Sequence, residues 1–600
     1  MISVVQLRFF TLLLVFLFSG ISRAQTVDIS AAELTRPPTS QRIDALIKDA
    51  QIKGWSVVAQ QLWPSVTAAY GTNGAVIQPW YYVYRWAELW GLQDDQFIGA
   101  WIEAVRKAGV AHTNMATDYR WQRVPLGARL STELQRFLLS SPDFSDQFFS
   151  ILTPVDYLPR VFTILDSLYT ADPARVADYS GLAIAIAVVY DLPPPPGWPH
   201  FQVSERSLPR QLPTPEAAFA FWSKADLDHR TLHKLKQLTA AELKFVVDSN
   251  AAFEEMKWAQ ENIRLDLPGF SVAYDMVRYR RDRAQENVMI WPGQTYELPE
   301  ILKQGGICVD QAYFAATAGK AKGVPTLIFR GAGLDGRHAW FGYLDLNHHW
   351  VLDAGRYAER KYVSGVAYDP QTWGNLSDHE LAFLTEDFRR LQPYRNSRIH
   401  AEFADEFLRR SDFDAAQKAA RRAVNFEHRN VDAWNILLTA QQQLHVEPKV
   451  AEATLREAAI ALQRYPDLEA TFINRLAASL RTRGETSAAD YEEGKIARKN
   501  QSDRSDISVS QAREIMMRSM QADETQGQLQ TYTRILSIYG KGAGIDFFDK
   551  VVQVFIARLQ YEGKTQAALQ VALQAQATLK IDPDSQLDHE LKDLIKKLGR

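Results

Sequence analysis

Cysteine is almost absent. Cys308 is the only one in 600 residues, so no disulfide can form within the chain. Cys-rich zinc modules and iron–sulfur clusters held by this chain alone are excluded too. Net charge is equally scarce: 68 Lys and Arg stand against 71 Asp and Glu, leaving −3. That balance points to neither a nucleic-acid binder nor a polybasic membrane-surface protein, and no nucleic-acid partner is expected. Long apolar runs are missing as well. Beyond the first two dozen residues the nearest is 181–192 (GLAIAIAVVYDL), short of the roughly 20 residues that span a bilayer. No acidic cluster has calcium-loop spacing. His229 and His233 lie one helical turn apart, but Arg230 stands where a zinc-protease motif needs Glu. Neither a metal nor a cofactor is expected.

What is present is an ordinary globular composition, 46% apolar and 23% charged, long enough for about three to five domains of roughly 100–200 residues each. Arg8, the apolar stretch 9–18 broken only by Thr11, and Ser22-Arg23-Ala24 make a secretory leader over 1–24. Its apolar core is too short for a membrane span, so the expected mature protein is exported, periplasmic or secreted, without a transmembrane segment. Residues 25–264 show mainly helical periodicity with Pro-rich punctuation, above all at 191–199 (DLPPPPGWP). Eleven of the fifteen tryptophans lie before residue 300 and read as aromatic packing between helices.

Over 265–395 the pattern changes: a helix-like run precedes β-type segments at 326–331, 338–344 and 349–353. From 396 to 600 helices return with small residues at repeating offsets. Ser411, Gly484 and Gly563 are each followed five residues later by Ala416, Ala489 and Ala568. Small residues on one face let helix pairs stack into a solenoid. This spacing, with the closing Pro583, resembles degenerate tetratricopeptide repeats. The polar stretch 499–508 (KNQSDRSDIS) reads as a linker between two sets of helices.

The sole cysteine has informative neighbours. Gly305 and Gly306 precede it, and Gly323 and Pro325 close the run that follows, so Cys308 starts a helix, where free N–H groups and the dipole favour a thiolate. Ala312, Ala315, Ala316 and Gly319 form a stripe along which that helix can lie flat on a sheet. A hairpin turning between Asp345 and Leu346 would pair His338 with Asp353, about 4.5–5.5 Å apart at Cβ. The carboxylate would then orient an imidazole able to take the thiol proton. The backbone N–H of Cys308 offers one oxyanion donor.

Gly306-Ile-Cys308, Gly323-Val-Pro325, His338-Ala-Trp340, and Trp350 with Asp353 resemble the transglutaminase-like branch of the papain-type cysteine enzymes. The resemblance covers roughly 298–357 and departs from the family at Gln304 and at Asp353-Ala-Gly355. It implies a multidomain chain with an α+β transglutaminase-like core between an α-helical N-terminal region and C-terminal α-helical repeats. It also implies Cys308 as nucleophile, His338 as base and acid, and Asp353 as orienting carboxylate. Gln304, Gly306 and Trp340 are the further candidates for oxyanion or substrate contact. The activity expected is a protease or amidase, or an amine-acceptor acyl transferase, working on a protein or peptide through a thioester at Cys308. The alternative is a non-catalytic scaffold that holds a protein partner on its helical repeats.

Overall fold

The computed structural model describes residues 29–599 apart from 35, 74–77, 110–123, 335, 357–362 and 580. The leader read at 1–24 lies outside the described residues. Near the start, α1 (Trp55–Asn73) and α2 (Gln78–Gly91) pack together. Trp80, Trp86 and Trp90 of α2 are fully buried, so these three tryptophans are core. The apolar stretch at 181 belongs to α3 (Ser180–Val189), which is buried on every side from Gly181 onward, the expected state of a helix without a polar face. Among the described residues no helix is long and apolar enough to cross a membrane.

Helix α4 (Cys308–Ala321) starts at the cysteine. The Asp310 carboxylate caps it by accepting the Ile307 N–H at 2.8 Å. The stripe Ala312, Ala315, Ala316 is buried. A Cβ on Gly319 would sit 2.5 Å from the Thr326 methyl, so this glycine lets α4 approach the sheet. Gly323, at φ +68°, stops the helix in the left-handed conformation that glycine adopts cheaply.

Strands β1 (Thr326–Ala332), β2 (Arg337–Leu344), β3 (Trp350–Ala354), β4 (Gly365–Tyr368) and β5 (Asn375–Ser377) form one antiparallel sheet in the order β3-β2-β1-β4-β5. The expected α+β transglutaminase-like core between two helical regions is corrected by this architecture. The chain is mostly helical, and its short-stranded sheet is one small inset. The two-region picture also misses that Tyr70 stacks on Phe403 at 3.9 Å and Trp63 meets Phe407 at 5.7 Å. One apolar core therefore runs from the first helices across position 395 into the repeats.

The repeats follow as α5 (Gln392–Arg409), α6 (Phe413–Phe426), α7 (Val431–Gln443), α8 (Pro448–Ala461), α9 (Pro466–Thr482), α10 (Thr486–Lys499), α11 (Ser505–Ala522), α12 (Thr525–Tyr539), α13 (Gln553–Tyr561), α14 (Thr565–Thr578) and α15 (Gln586–Leu598). Successive helices pack on one another from α5 to α12 and from α13 to α15, and α12 packs on α14. Ser411, Gly484 and Gly563 have φ of +61°, +81° and +74° and form the turns α5–α6, α9–α10 and α13–α14. Ala416, Ala489 and Ala568 are fully buried where the paired helices touch. The polar stretch at 499 is a short turn between α10 and α11 whose Asn500 and Arg504 are buried. A second apolar core begins there and runs to Leu598.

The far end of the repeats comes back to the sheet. Ile545 donates its N–H to the Leu334 carbonyl at 3.0 Å. Arg337, the first residue of β2, binds Asp549 through two hydrogen bonds of 3.0 and 2.6 Å and Glu590 through two of 2.6 and 3.1 Å. The repeats therefore close into a ring on the β1–β2 connection.

Candidate binding cleft

Closing the ring encloses a cleft of about 2680 Å³. One wall is the start of α4 with the sheet, including Cys308, Arg330 and His338. The opposite wall is the inner face of α9, α11 and the final helices. The cysteine and histidine found in the sequence thus share one surface. The Tyr274 hydroxyl reaches the Cys308 carbonyl at 3.4 Å. Tyr274 donates to the Ala339 carbonyl at 2.9 Å, which fixes β2 beside the start of α4.

The carboxylate does not join them. The turn is longer than expected: the Asp345 carboxylate accepts N–H bonds from Asn347 and His349 at 2.8 Å each, and His348 takes φ +60°. Leu344 therefore pairs with Trp350 and Tyr343 with Val351, and a bulge then sets Phe341 opposite Ala354. One extra residue in β3 at the bulge puts Asp353 near Gly342, four residues or about 13 Å along β2 from His338. Asp353 is exposed. His338 Nε2 instead meets the Gly355 carbonyl at 2.7 Å. A carbonyl only accepts, so Nε2 carries the proton. The register therefore sets Asp353 off the position expected opposite His338, and the Nε2 contact of the imidazole is to the Gly355 carbonyl.

The thiol is also not of the expected kind. Burial pushes the Cys308 pKa up, and the nearby Asp310 charge adds to this. Hydrogen bonds from the Ala339, Val309 and Cys308 N–H groups oppose it without prevailing. Asp310, missed in the sequence, organises this corner: its carboxylate also accepts from Arg283 at 2.8 Å and from the Tyr296 hydroxyl at 2.7 Å. The Asp at the third helical position was its one signal in the sequence.

The remaining candidates make the following contacts. The Gln304 amide donates to Glu300, and its carbonyl accepts from Arg278 and Arg280. Gly306 lets the loop pass Asp310, since a Cβ would lie 2.3 Å from the aspartate Cβ. Trp340 is fully buried, donates to the Leu352 carbonyl at 2.9 Å, and fills the space left by Gly331 and Gly365. Of the two metal-spaced histidines, His233 is bonded to the Leu344 carbonyl at 3.1 Å.

No family model matches the chain, and no curated protein matches it. Among solved structures, a match is the "Human IFIT1 dimer with PPP-AAAA", at 9% identity over 94% of this chain and 91% of that one, with a TM-score of 0.21. A likeness this weak carries no argument about what the chain does. The transglutaminase-like resemblance, with the catalytic triad and the protease or hydrolase activity it implied, is corrected. No family model supports it, the fold is helical with a small sheet, and the aspartate is off the histidine.

Proposed function

We propose that this chain is a non-catalytic, exported scaffold that holds a polypeptide in the cleft between its helical repeats and its sheet. The supporting observation is the ring closure, which turns the inner face of the stacked helices into a walled groove of about 2680 Å³. Stacked helix pairs offer such extended concave surfaces for binding. A thiol whose pKa is raised is a poor nucleophile near neutral pH, which favours holding over acyl transfer. Export rests on the pattern of Arg8, the apolar run 9–18 and Ala24.

A polypeptide is preferred over a nucleic acid on charge. Among the described residues the cleft is lined by ten carboxylates against six Arg or Lys, and a phosphate backbone needs the opposite sign. The test is binding of the labelled full chain to a peptide array, beside its Cys308→Ala variant. A defined subset of peptides bound equally by both proteins, uncleaved, supports the proposal. Cleavage or a covalent adduct that disappears in Cys308→Ala overturns the non-catalytic reading. Alkylation of Cys308 by iodoacetamide should be slow at mildly acidic pH; fast reaction there would revive the nucleophile.

A further inference from the structure

The charge in the cleft is uneven, and that unevenness specifies an occupant. Among the described residues, the wall formed by 504–593 contributes seven carboxylates and only three Arg or Lys to the cleft lining. The whole chain carries just −3, so this is a local concentration of negative charge rather than a share of a general one. The sheet side and the loops beside it differ. They raise an apolar lip of Phe201, Tyr279 and Met289 into the cleft; Phe201 is 66% and Tyr279 43% exposed. Exposed aromatic rings at the mouth of a groove mark contact surface.

Resting on the scaffold reading above, we infer that the cleft takes a cationic polypeptide segment. Its Lys or Arg side chains lie on the 504–593 wall and its apolar side chains on the Phe201–Tyr279–Met289 lip. The wall already recognises one guanidinium of this chain: Asp549 and Glu590 each hold Arg337 through paired hydrogen bonds, the geometry in which carboxylates select arginine. Glu514 and Asp593, on the same wall, are exposed and have no ion pair among the described residues. They offer a partner the charge that Asp549 and Glu590 spend on Arg337.

The experiment is fluorescence anisotropy on the full chain with three labelled probes: an alternating Lys–Leu peptide, an alternating Glu–Leu peptide and a single-stranded oligoadenylate. The Lys–Leu peptide should bind, and its affinity should fall as salt rises. Glu514→Gln with Asp593→Asn should weaken it roughly tenfold, as should Phe201→Ala, each equivalent to about 1.4 kcal/mol. Glu254→Gln, an exposed carboxylate outside the cleft lining, should leave it unchanged. Equal loss from Glu254→Gln, or none from the cleft pair, would overturn the inference as mere attraction to an acidic protein. Preference for the Glu–Leu peptide would sink the cationic partner yet leave a polypeptide scaffold standing. Binding of oligoadenylate with neither peptide held would remove both.

Discussion

The two ends of the repeat arm are fastened by different physics. At the root, α5 lies against α1 and α2. Phe403 is fully buried between Tyr70 and Tyr81, with ring centroids at 3.9 and 4.5 Å, and Glu406 is buried against the Tyr84 hydroxyl and Arg410. At the tip, one arginine that is 38% exposed spans two carboxylates, and its main-chain N–H donates to Gln586. Ile545 donates to the Leu334 carbonyl, and of the sheet's side chains the small Ala332 packs on the second core. Burial of aromatic surface is worth several kcal/mol and is indifferent to salt. Exposed ion pairs are worth about 0–1 kcal/mol each and are screened. The root is therefore a fixed joint, while the tip is a latch on the cleft.

The largest effect should come from breaking the root. Phe403→Ala leaves a cavity among Tyr70, Tyr81 and Phe407 and should cost about 3–5 kcal/mol. In calorimetry the transition of the larger core should move down well before that of the core from Ala497 to Leu598. If the two shift together, the arm and the N-terminal helices melt as a single unit.

Breaking the tip should do something else. Gly544 has φ +48°, and a Cβ there would stand 1.8 Å from the Leu334 carbonyl oxygen, backbone that cannot step aside. Gly544→Ala should part the final helices from the β1–β2 connection at a cost of about 1–3 kcal/mol. It should leave the root intact. The radius of gyration in solution scattering should rise while the main melting transition hardly moves. An unchanged radius would mean the ring does not depend on this contact.

Acid should separate the joints by sign. Burial raises the Glu406 pKa above its ordinary value, against the pull of Arg409 and Arg410. Through Glu406 the folded root takes up protons before the unfolded chain does, so this group's contribution rises as pH falls through its raised pKa toward the ordinary value of about 4.3. It is opposed by Glu88, which Arg409 and Arg85 hold low. Glu590 is the reverse. Burial pushes up, but the Arg337 hydrogen bond prevails and its pKa is lowered. Its contribution is full above the ordinary glutamate value of about 4.3 and is lost as pH drops below it. Scattering at pH near 3 should show the arm swung open on a folded root. Loss of both ends together would contradict the separation.

The sequence made local features readable and long-range ones opaque. The start of α4 at Cys308, its stop at Gly323, the alanine stripe and the three turns at Ser411, Gly484 and Gly563 all follow from what neighbouring residues do to one another. Two further turns, at His445 with φ +50° and Asp584 with φ +62°, were hidden because neither glycine nor serine occupies them. The position of Asp353 needed the hairpin register. An Asx-type turn at Asp345 and one bulged residue were enough to carry the carboxylate away from His338, and neither has a composition signal strong enough to set a pairing. Arg337 stands just before the expected strand 338–344, with no motif around it. Its partners lie 212 and 253 residues away, a distance over which no periodicity speaks. The cleft exists only because of that closure, so the sequence showed two of its lining residues without showing the groove.

The smallest expected effect serves as a ruler for both joints. Gly484 and Gly563 turn in the left-handed region with no atom within 4 Å of where a Cβ would stand. Alanine at either position meets no clash and incurs only the conformational penalty, about 1 kcal/mol. Ser411 already bears that strain at φ +61°, so Ser411→Gly should recover part of it, less the extra freedom glycine gives the unfolded chain. In a unit of this size about 1 kcal/mol is worth roughly 2–4 °C. Gly484→Ala should lower the transition of the larger core by that amount, Gly563→Ala that of the final helices, and Ser411→Gly should raise the first slightly. If Gly563→Ala instead moved the larger core, the two cores would be coupled through the turn at Asn500, and the tip would be as firmly joined to the rest as the root is.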